Sequence, residues 1–269
     1  MKIAYCTLAA PRWTLEEVFT GGEKYGYEGL ELYYVDGAYI TPALLRANQQ
    51  RIRRLSDASS CRLFSLGTLL ELVPPTPERR AAAIAEGEDY LELARDLGAD
   101  FIRLFGGFAV ENEPEDWVIG QTAESLNRLA ERAEKVGVTI ALESHDFYCA
   151  TRRLAKVLAR VPSKRVVALW DTLHPSRVGE SVEAAWANVS GRLGYLHLKD
   201  GVPNQGEQWD LVPLGEGNIP IRDILQKVDS MGFDGYVAFE WERGNYAHMA
   251  DPEVALPAAM ATIRAFTTR

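Results

Sequence analysis

LNRLAERAEKVGVTIALESH, residues 126–145, decides the fold. Leu126, Leu129, Ala130 and Ala133 recur at i, i+3, i+4 and i+7, the apolar stripe of an amphipathic helix. Gly137 stands where a helix end favours a left-handed residue, and VTIALE (138–143) follows at once as a short buried strand. The same unit occurs upstream. Tyr90, Leu93, Ala94 and Leu97 repeat the stripe, Gly98 ends it, and DFIRLF (100–105) follows. Further apolar runs at 2–7, 28–34, 61–67, 165–171, 193–199 and 235–240 bring the predicted strands to eight. Helical patterns near 14–25, 41–58, 150–161, 179–190, 220–231 and 252–267 fill the remaining intervals. Eight such alternations in 269 residues predict an α/β protein, one (β/α)8 TIM barrel spanning 1–269. No Ser/Gly linker or low-complexity tract marks a boundary. The rival is a doubly wound open sheet, but the first βα turn, TLAAPRW (7–13), lacks the dinucleotide glycine fingerprint, and no Walker A pattern occurs.

Lys and Arg total 29 against 38 Asp and Glu, a net charge of −9. That surplus repels phosphate backbones and anionic headgroups, so neither nucleic acid nor membrane is an expected partner. No apolar run reaches the roughly 18 residues of a membrane helix. The N-terminus, with one basic residue and a short apolar run broken by Pro11 and Arg12, makes a poor signal peptide. Cys6, Cys61 and Cys149 stand far apart in no metal or redox spacing and read as reduced thiols of a cytoplasmic protein.

In such a barrel, chemistry belongs at the C-terminal strand ends. Strand 5 ends in Glu143, strand 6 in Asp171 and strand 8 in Glu240, while strand 7 carries His197 and Lys199. Alternation puts Glu143 on the face of Ala141, Asp171 on that of Val167 and Leu169, His197 and Lys199 on that of Tyr195, and Glu240 on that of Ala238. Each polar residue thus caps a line of small or apolar ones facing the barrel interior. Three carboxylates and an imidazole aimed at one point require a cation. An oxygen-rich set with one nitrogen suits Mn²⁺, Mg²⁺ or Co²⁺ and permits Zn²⁺. The plain alternative takes each acid singly, as a helix cap or a loop ion pair.

ALESH (141–145), WDTLH (170–174), YLHLKDG (195–201), LGEGNIP (214–220) and DGYVAFEWE (234–242) resemble the xylose isomerase-like barrel family, and the likeness runs from YEGLELYY (27–34) to strand 8. That family holds sugar phosphate isomerases and epimerases, keto-inositol dehydratases and endonuclease IV nucleases. The resemblance implies that Glu143, Asp171, His197 and Glu240 ligate one divalent metal, with Glu143 and Glu240 also the acid/base pair. It implies a sugar isomerase or epimerase, with a keto-inositol or keto-acid dehydratase as the alternative. The nuclease branch fails. Trp209 and Leu211 occupy its Asp and His positions, and no histidine precedes 145. Ketose epimerases carry a further glutamate where this chain has Cys149.

Isomerising a ketose removes a proton beside a carbonyl, which a metal polarises and a carboxylate accepts. His174, just past Asp171, is placed for a substrate hydroxyl or a metal-bound water, or is a loop histidine. His145 is a candidate substrate contact or a buried hydrogen-bonding group. Lys199 would hold an enediolate oxygen or a substrate carboxylate, or pair with Asp200. Arg103 is a hydroxyl or anion binder, or the partner of a neighbouring acid. Glu31 reads as a buried structural partner beneath the site. Trp13, Trp117, Trp209 and Trp241 lie in or beside the C-terminal loops, where aromatic faces can pack on sugar C–H groups, and Trp13 is taken as a substrate contact. Trp170 and Trp186 read as packing. Gly215 and Gly217 could cradle a phosphate, but Glu216 opposes one. The preferred reading is a turn with Asn218 as helix cap ahead of Pro220, hence a non-phosphorylated sugar or keto-polyol substrate. Self-association stays open.

Overall fold

Eight parallel strands close into a barrel in chain order: β1 (Lys2–Cys6), β2 (Gly29–Leu32), β3 (Arg62–Glu71), β4 (Phe101–Phe105), β5 (Thr139–Glu143), β6 (Val166–Asp171), β7 (Leu193–Leu198) and β8 (Tyr236–Phe239), which pairs back with β1. Between them run α1 (Leu15–Tyr25), α2 (Pro42–Ala58), α3 (Pro77–Leu97), α4 (Glu115–Val136), α5 (Thr151–Leu158), α6 (Val182–Val189), α7 (Ile221–Ser230) and, last, α8 (Pro252–Thr267). The protein is a (β/α)8 TIM barrel. This computed structural model describes residues 1–73, 76–205 and 208–267. Among them, no helix is long and apolar enough to cross a membrane.

Local chemistry sets the helix ends. Thr14 accepts from the Glu17 amide while the Glu17 carboxylate accepts the Thr14 N–H at 2.7 Å, a reciprocal cap that starts α1. Gly98 and Gly137 end α3 and α4 with φ of 78° and 79°, the left-handed conformation that turns each helix into the next strand. The expected Asn218 cap does not form. Pro220 takes the cap position of α7 with no side-chain bond, and the Asn218 amide instead donates to Gly201 O.

Period-two alternation sorts the strand residues into two cores. Outward residues such as Leu30, Leu63, Ile102, Ile140, Trp170 and Leu196 pack under the helices, and Trp186 packs against that layer as expected. Inward ones include Cys6, Phe64, Ala141, Leu169, Tyr195, Tyr236 and Ala238. Phe64 stacks on Tyr236 with ring centres 4.1 Å apart and meets Tyr195 edge-on at 5.2 Å. Tyr236 and Phe101 begin their strands, so this aromatic group plugs the N-terminal end of the barrel. One irregularity matters for what lies above it. Leu30 pairs with Leu63 but Glu31 pairs with Ser65, so Phe64 is an extra residue. That bulge lets Phe64 and Ser65 both serve the interior.

Two antiparallel hairpins decorate the mouth, and apart from Tyr34, the end of the predicted strand 28–34, they lie where the sequence reading placed no strands: Tyr34–Val35 with Ala38–Tyr39, and Asp200–Pro203 with Trp209–Val212. The first turns on Asp36 (φ 50°) and Gly37 (φ 88°), the Asp-Gly pair that a tight hairpin favours.

Gly67 on β3 carries a close constraint on the mouth. A Cβ there would lie 2.4 Å from the Tyr33 ring. Gly67→Ala should therefore overpack the interior at a cost of about 1–3 kcal/mol, lowering the melting temperature by roughly 3–10 °C. An unchanged calorimetric midpoint would show that Tyr33 moves freely.

Candidate functional site

β5 to β8 bring four side chains together at their C-terminal ends. Glu143 closes β5, Asp171 closes β6, His197 is next to last in β7, and Glu240 directly follows β8. Strand register aligns them, with Asp171 paired to His197 and His197 to Ala238. Three carboxylate oxygens and one imidazole nitrogen from these residues all lie within 4.8 Å of one another, and all four residues are buried.

Carboxylates at that spacing need cations, and the chain supplies two. Arg103, in the middle of β4, places Nε 3.0 Å from Glu143 Oε2 and Nη2 3.8 Å from Glu240 Oε1. Its other donors hold it in place, Nη2 to the Tyr33 hydroxyl at 2.6 Å and Nη1 to Thr68 O at 2.8 Å. Tyr33 in turn donates to Glu240 Oε1 at 3.1 Å. Lys199, just past β7, sets Nζ 3.1 Å from Asp171 Oδ2, 2.6 Å from Glu240 Oε2 and 2.7 Å from Glu242 Oε1. Thr172 fixes its backbone, accepting from Lys199 N and donating to Lys199 O, both at 3.0 Å. Asp171 Oδ1 caps the short helix Leu173–Arg177 through the Leu173 amide at 2.7 Å, which leaves Oδ2 facing inward. Glu143 Oε2, Asp171 Oδ2 and Glu240 Oε2 are buried without an aligned hydrogen bond, their contacts to Arg103 and Lys199 being charge contacts only.

These surroundings push the acids apart. Burial alone would raise Glu143, but the Arg103 charge and His197 outweigh it and bring it down to about 2. Glu240 is held well below the usual carboxylate range, the charges of Lys199 and His197 overcoming its burial. Asp171 is raised to about 6, chiefly by burial, which Lys199 offsets only in part. His174 is pushed well down by burial and then by the His145 and Lys199 charges, so it stays neutral. Its ring meets His145 edge-on at 4.2 Å.

The cavity above is two-sided. Leu8, Tyr33, Tyr39, Leu69 and Phe105 give it an apolar wall, and Arg103, Glu143, His145, Lys199, Glu240 and Glu242 a charged one. The glycine turn at 214–219 takes no part in anion binding. Asp200 fills it, accepting from the amides of Gly201 and Gly215 at 2.8 Å and of Gly217 and Ile219 at 3.1 Å. A Cβ at Gly217 would come within 2.1 Å of Asp200 Oδ1. Asp200 is thus not the partner of Lys199, whose ammonium turns to Asp171, Glu240 and Glu242.

The family described as xylose isomerase-like TIM barrel matches residues 22–266. The chain belongs to that family. Fructoselysine 3-epimerase of Escherichia coli O157:H7 is 23% identical over 250 residues, covering 89% of this chain and 90% of that protein. Among solved structures, the IolI protein with a bound zinc atom superposes with a TM-score of 0.85 at 19% identity, over 99% of this chain and 98% of that one. The 3-keto-D-glucoside 4-epimerase YcjR from E. coli gives 0.81 at 18% identity, over 98% of this chain and 99% of that one.

Within this xylose isomerase-like barrel, Arg103, Glu143, His145, Lys199 and Glu240 line the cavity. Asp171, His174 and His197 are buried behind its wall. Trp13 stands apart from them. Its indole donates to Glu253 Oε1 at 3.0 Å, crowds Gly21 and lines a separate cavity with Arg12 and Arg243. Trp241 stacks on Phe239 and donates to Ala250 O. Tyr33 and Glu242 were missed by the sequence reading. Each lies two residues beyond an inward carboxylate, Glu31 and Glu240, so extending the alternation one step would have found both.

Lys199→Met should leave buried carboxylates uncompensated, at a cost of about 3–5 kcal/mol, read as a lower melting temperature in chelator. A midpoint equal to wild type would mean that Lys199 does not neutralise the cluster.

Proposed function

We propose that this barrel is a divalent-metal-dependent sugar isomerase or epimerase that acts on a neutral ketose or keto-polyol by moving a proton on a carbon beside the carbonyl. The observation that carries this reading is the cluster of Glu143, Asp171, His197 and Glu240, with ligand atoms within 4.8 Å and three inward carboxylate oxygens lacking a hydrogen bond. That donor set fits Mn²⁺, Mg²⁺ or Co²⁺ and accommodates Zn²⁺, the ion bound in IolI. When bound, the cation polarises the substrate carbonyl and a neighbouring hydroxyl.

The chain's own residues do the rest. Glu143 and Glu240 stand on strands separated by two others and are ionised at neutral pH, so either can take the proton from carbon. The carboxyl that has taken it can return it to the neighbouring carbon. Return on the opposite face requires the other carboxylate to take a proton first from a substrate hydroxyl or water. Arg103 and Tyr33 hold both carboxylates in place. Lys199 supplies the cation for oxygen charge that develops during the transfer. His145, which lines the cavity, offers a contact to a substrate hydroxyl, and neutral His174 meets its ring edge-on from behind the wall. The apolar wall of Tyr33, Tyr39 and Phe105 suits the C–H face of a sugar.

Charge selects the substrate class. Glu31, Glu143, Asp171, Glu240 and Glu242 together exceed Arg103, Lys199 and a divalent cation by one negative charge, leaving no surplus positive charge for a phosphate or a carboxylate at the reacting end. The nest at 214–219, already filled by Asp200, offers none either.

The metal-loaded protein, incubated in D₂O with ketoses, inosoles and their phosphates, should introduce deuterium into a neutral substrate, followed by NMR. Glu240→Gln and Glu143→Gln should each slow exchange by at least about 10²-fold while remaining folded. Exchange at the normal rate in Glu240→Gln sinks the acid/base assignment, and an unsaturated product absorbing in the ultraviolet marks a lyase instead.

Metal binding should also be proton-linked. Asp171, raised to about 6, and His197, raised well above its usual value chiefly by the Glu240 charge acting against burial, must both lose protons to ligate. Affinity for Mn²⁺ should therefore climb with pH through 6, with net proton release in calorimetry across buffers of different ionisation enthalpy. A flat affinity from pH 5 to 8 contradicts that linkage.

A further inference from the structure

We infer that Glu31 is the positioning residue of the cluster: it fixes His197 with its Nε2 protonated, so that Nδ1 is the atom offered to the metal. The inference rests on the metal reading proposed above.

Glu31 is fully buried on β2 and lines no part of the cavity, so it touches no substrate. Four donors converge on it. Oε1 accepts the Tyr195 hydroxyl at 2.6 Å and the Ser65 hydroxyl at 2.8 Å. Oε2 lies 2.7 Å from His197 Nε2 and accepts the Cys6 thiol at 3.2 Å. All four donors are themselves fully buried. An ionised carboxylate only accepts hydrogen bonds, so Nε2 must carry a proton. The ring is thereby set with Nδ1 3.3 Å from Glu143 Oε1 and 3.4 Å from Glu240 Oε2.

Two features separate this from ordinary packing. A buried carboxylate is costly, and an apolar floor of similar volume would be as stable or more so. The β-bulge at Phe64 is what turns Ser65 inward to complete the hydrogen-bonded floor. The arrangement also decides between two ligand sets that the geometry otherwise allows. Cys6, His197 and Glu240 form a second close group, with Cys6 Sγ 3.6 Å from His197 Nε2. With Nε2 donating to Glu31, the ring nitrogen nearest Cys6 is closed to a metal. A carboxylate behind a ligating histidine orients the ring and raises its basicity.

The test loads the full chain, with ¹⁵N-labelled histidine, with ¹¹³Cd²⁺. Cadmium coupling at Nδ1 of one histidine, with a slowly exchanging proton on its Nε2, supports the inference; coupling at Nε2 overturns it. Glu31→Gln should weaken Cd²⁺ binding by about 10–100-fold and lose the slowly exchanging proton. Unchanged affinity with the proton retained overturns the inference even where wild type binds cadmium. If the variant does not fold, the wild-type coupling decides alone. A wild-type chain that binds no cadmium removes the metal reading itself, and this inference with it.

Discussion

Like charges in a dry site must be neutralised or one of them must give up its charge, and that constraint shapes the whole upper half of this barrel. Glu143, Asp171 and Glu240 are brought together by strand register alone. Around them the chain builds a frame of cations and donors: Arg103 and Tyr33 on one side, Lys199 on the other, His197 between. The frame is stiff because each member is tied a second time. Arg103 is anchored on Thr68, Lys199 on Thr172, Asp171 on the Leu173 amide and His197 on Glu31.

This produces a division between the two halves of the cylinder. β5 to β8 contribute the clustered side chains, whereas β1 to β4 contribute Cys6, Glu31, Ser65 and Arg103, which hold them. Side chains that must present lone pairs at a fixed distance gain from such outer support, because ligand and acid/base geometry tolerate little error.

Much of this was legible in the sequence, for a physical reason. Helix-ending glycines such as Gly98 and Gly137 and fully buried strands leave unmistakable patterns, and alternation along a strand assigns faces without further information. Glu143, Asp171, His197, Lys199 and Glu240 were placed on one side by counting twos. Counting fails where the backbone departs from ideal pleating: no pattern announces the bulge that brings Ser65 beside Phe64. It also fails where the outcome depends on long-range competition. The glycine turn offered amides to any anion, and only the folded chain shows that Asp200 takes them. Trp13 illustrates the same limit, since an indole near the mouth in sequence was drawn to Glu253 on the last helix. The Val35-Asp36-Gly37-Ala38 hairpin, by contrast, carried a plain local signal.

The aromatic stopper formed by Phe64, Phe101, Tyr195 and Tyr236 has a further bearing on traffic. With the far end of the cylinder filled by rings, the charged frame faces the mouth. Tyr39 and Leu69, on the protruding hairpin and the extended end of β3, line the cavity there. Changes to those gateposts would leave the charged frame behind them undisturbed. Variation at the threshold is thus possible without rebuilding the hearth.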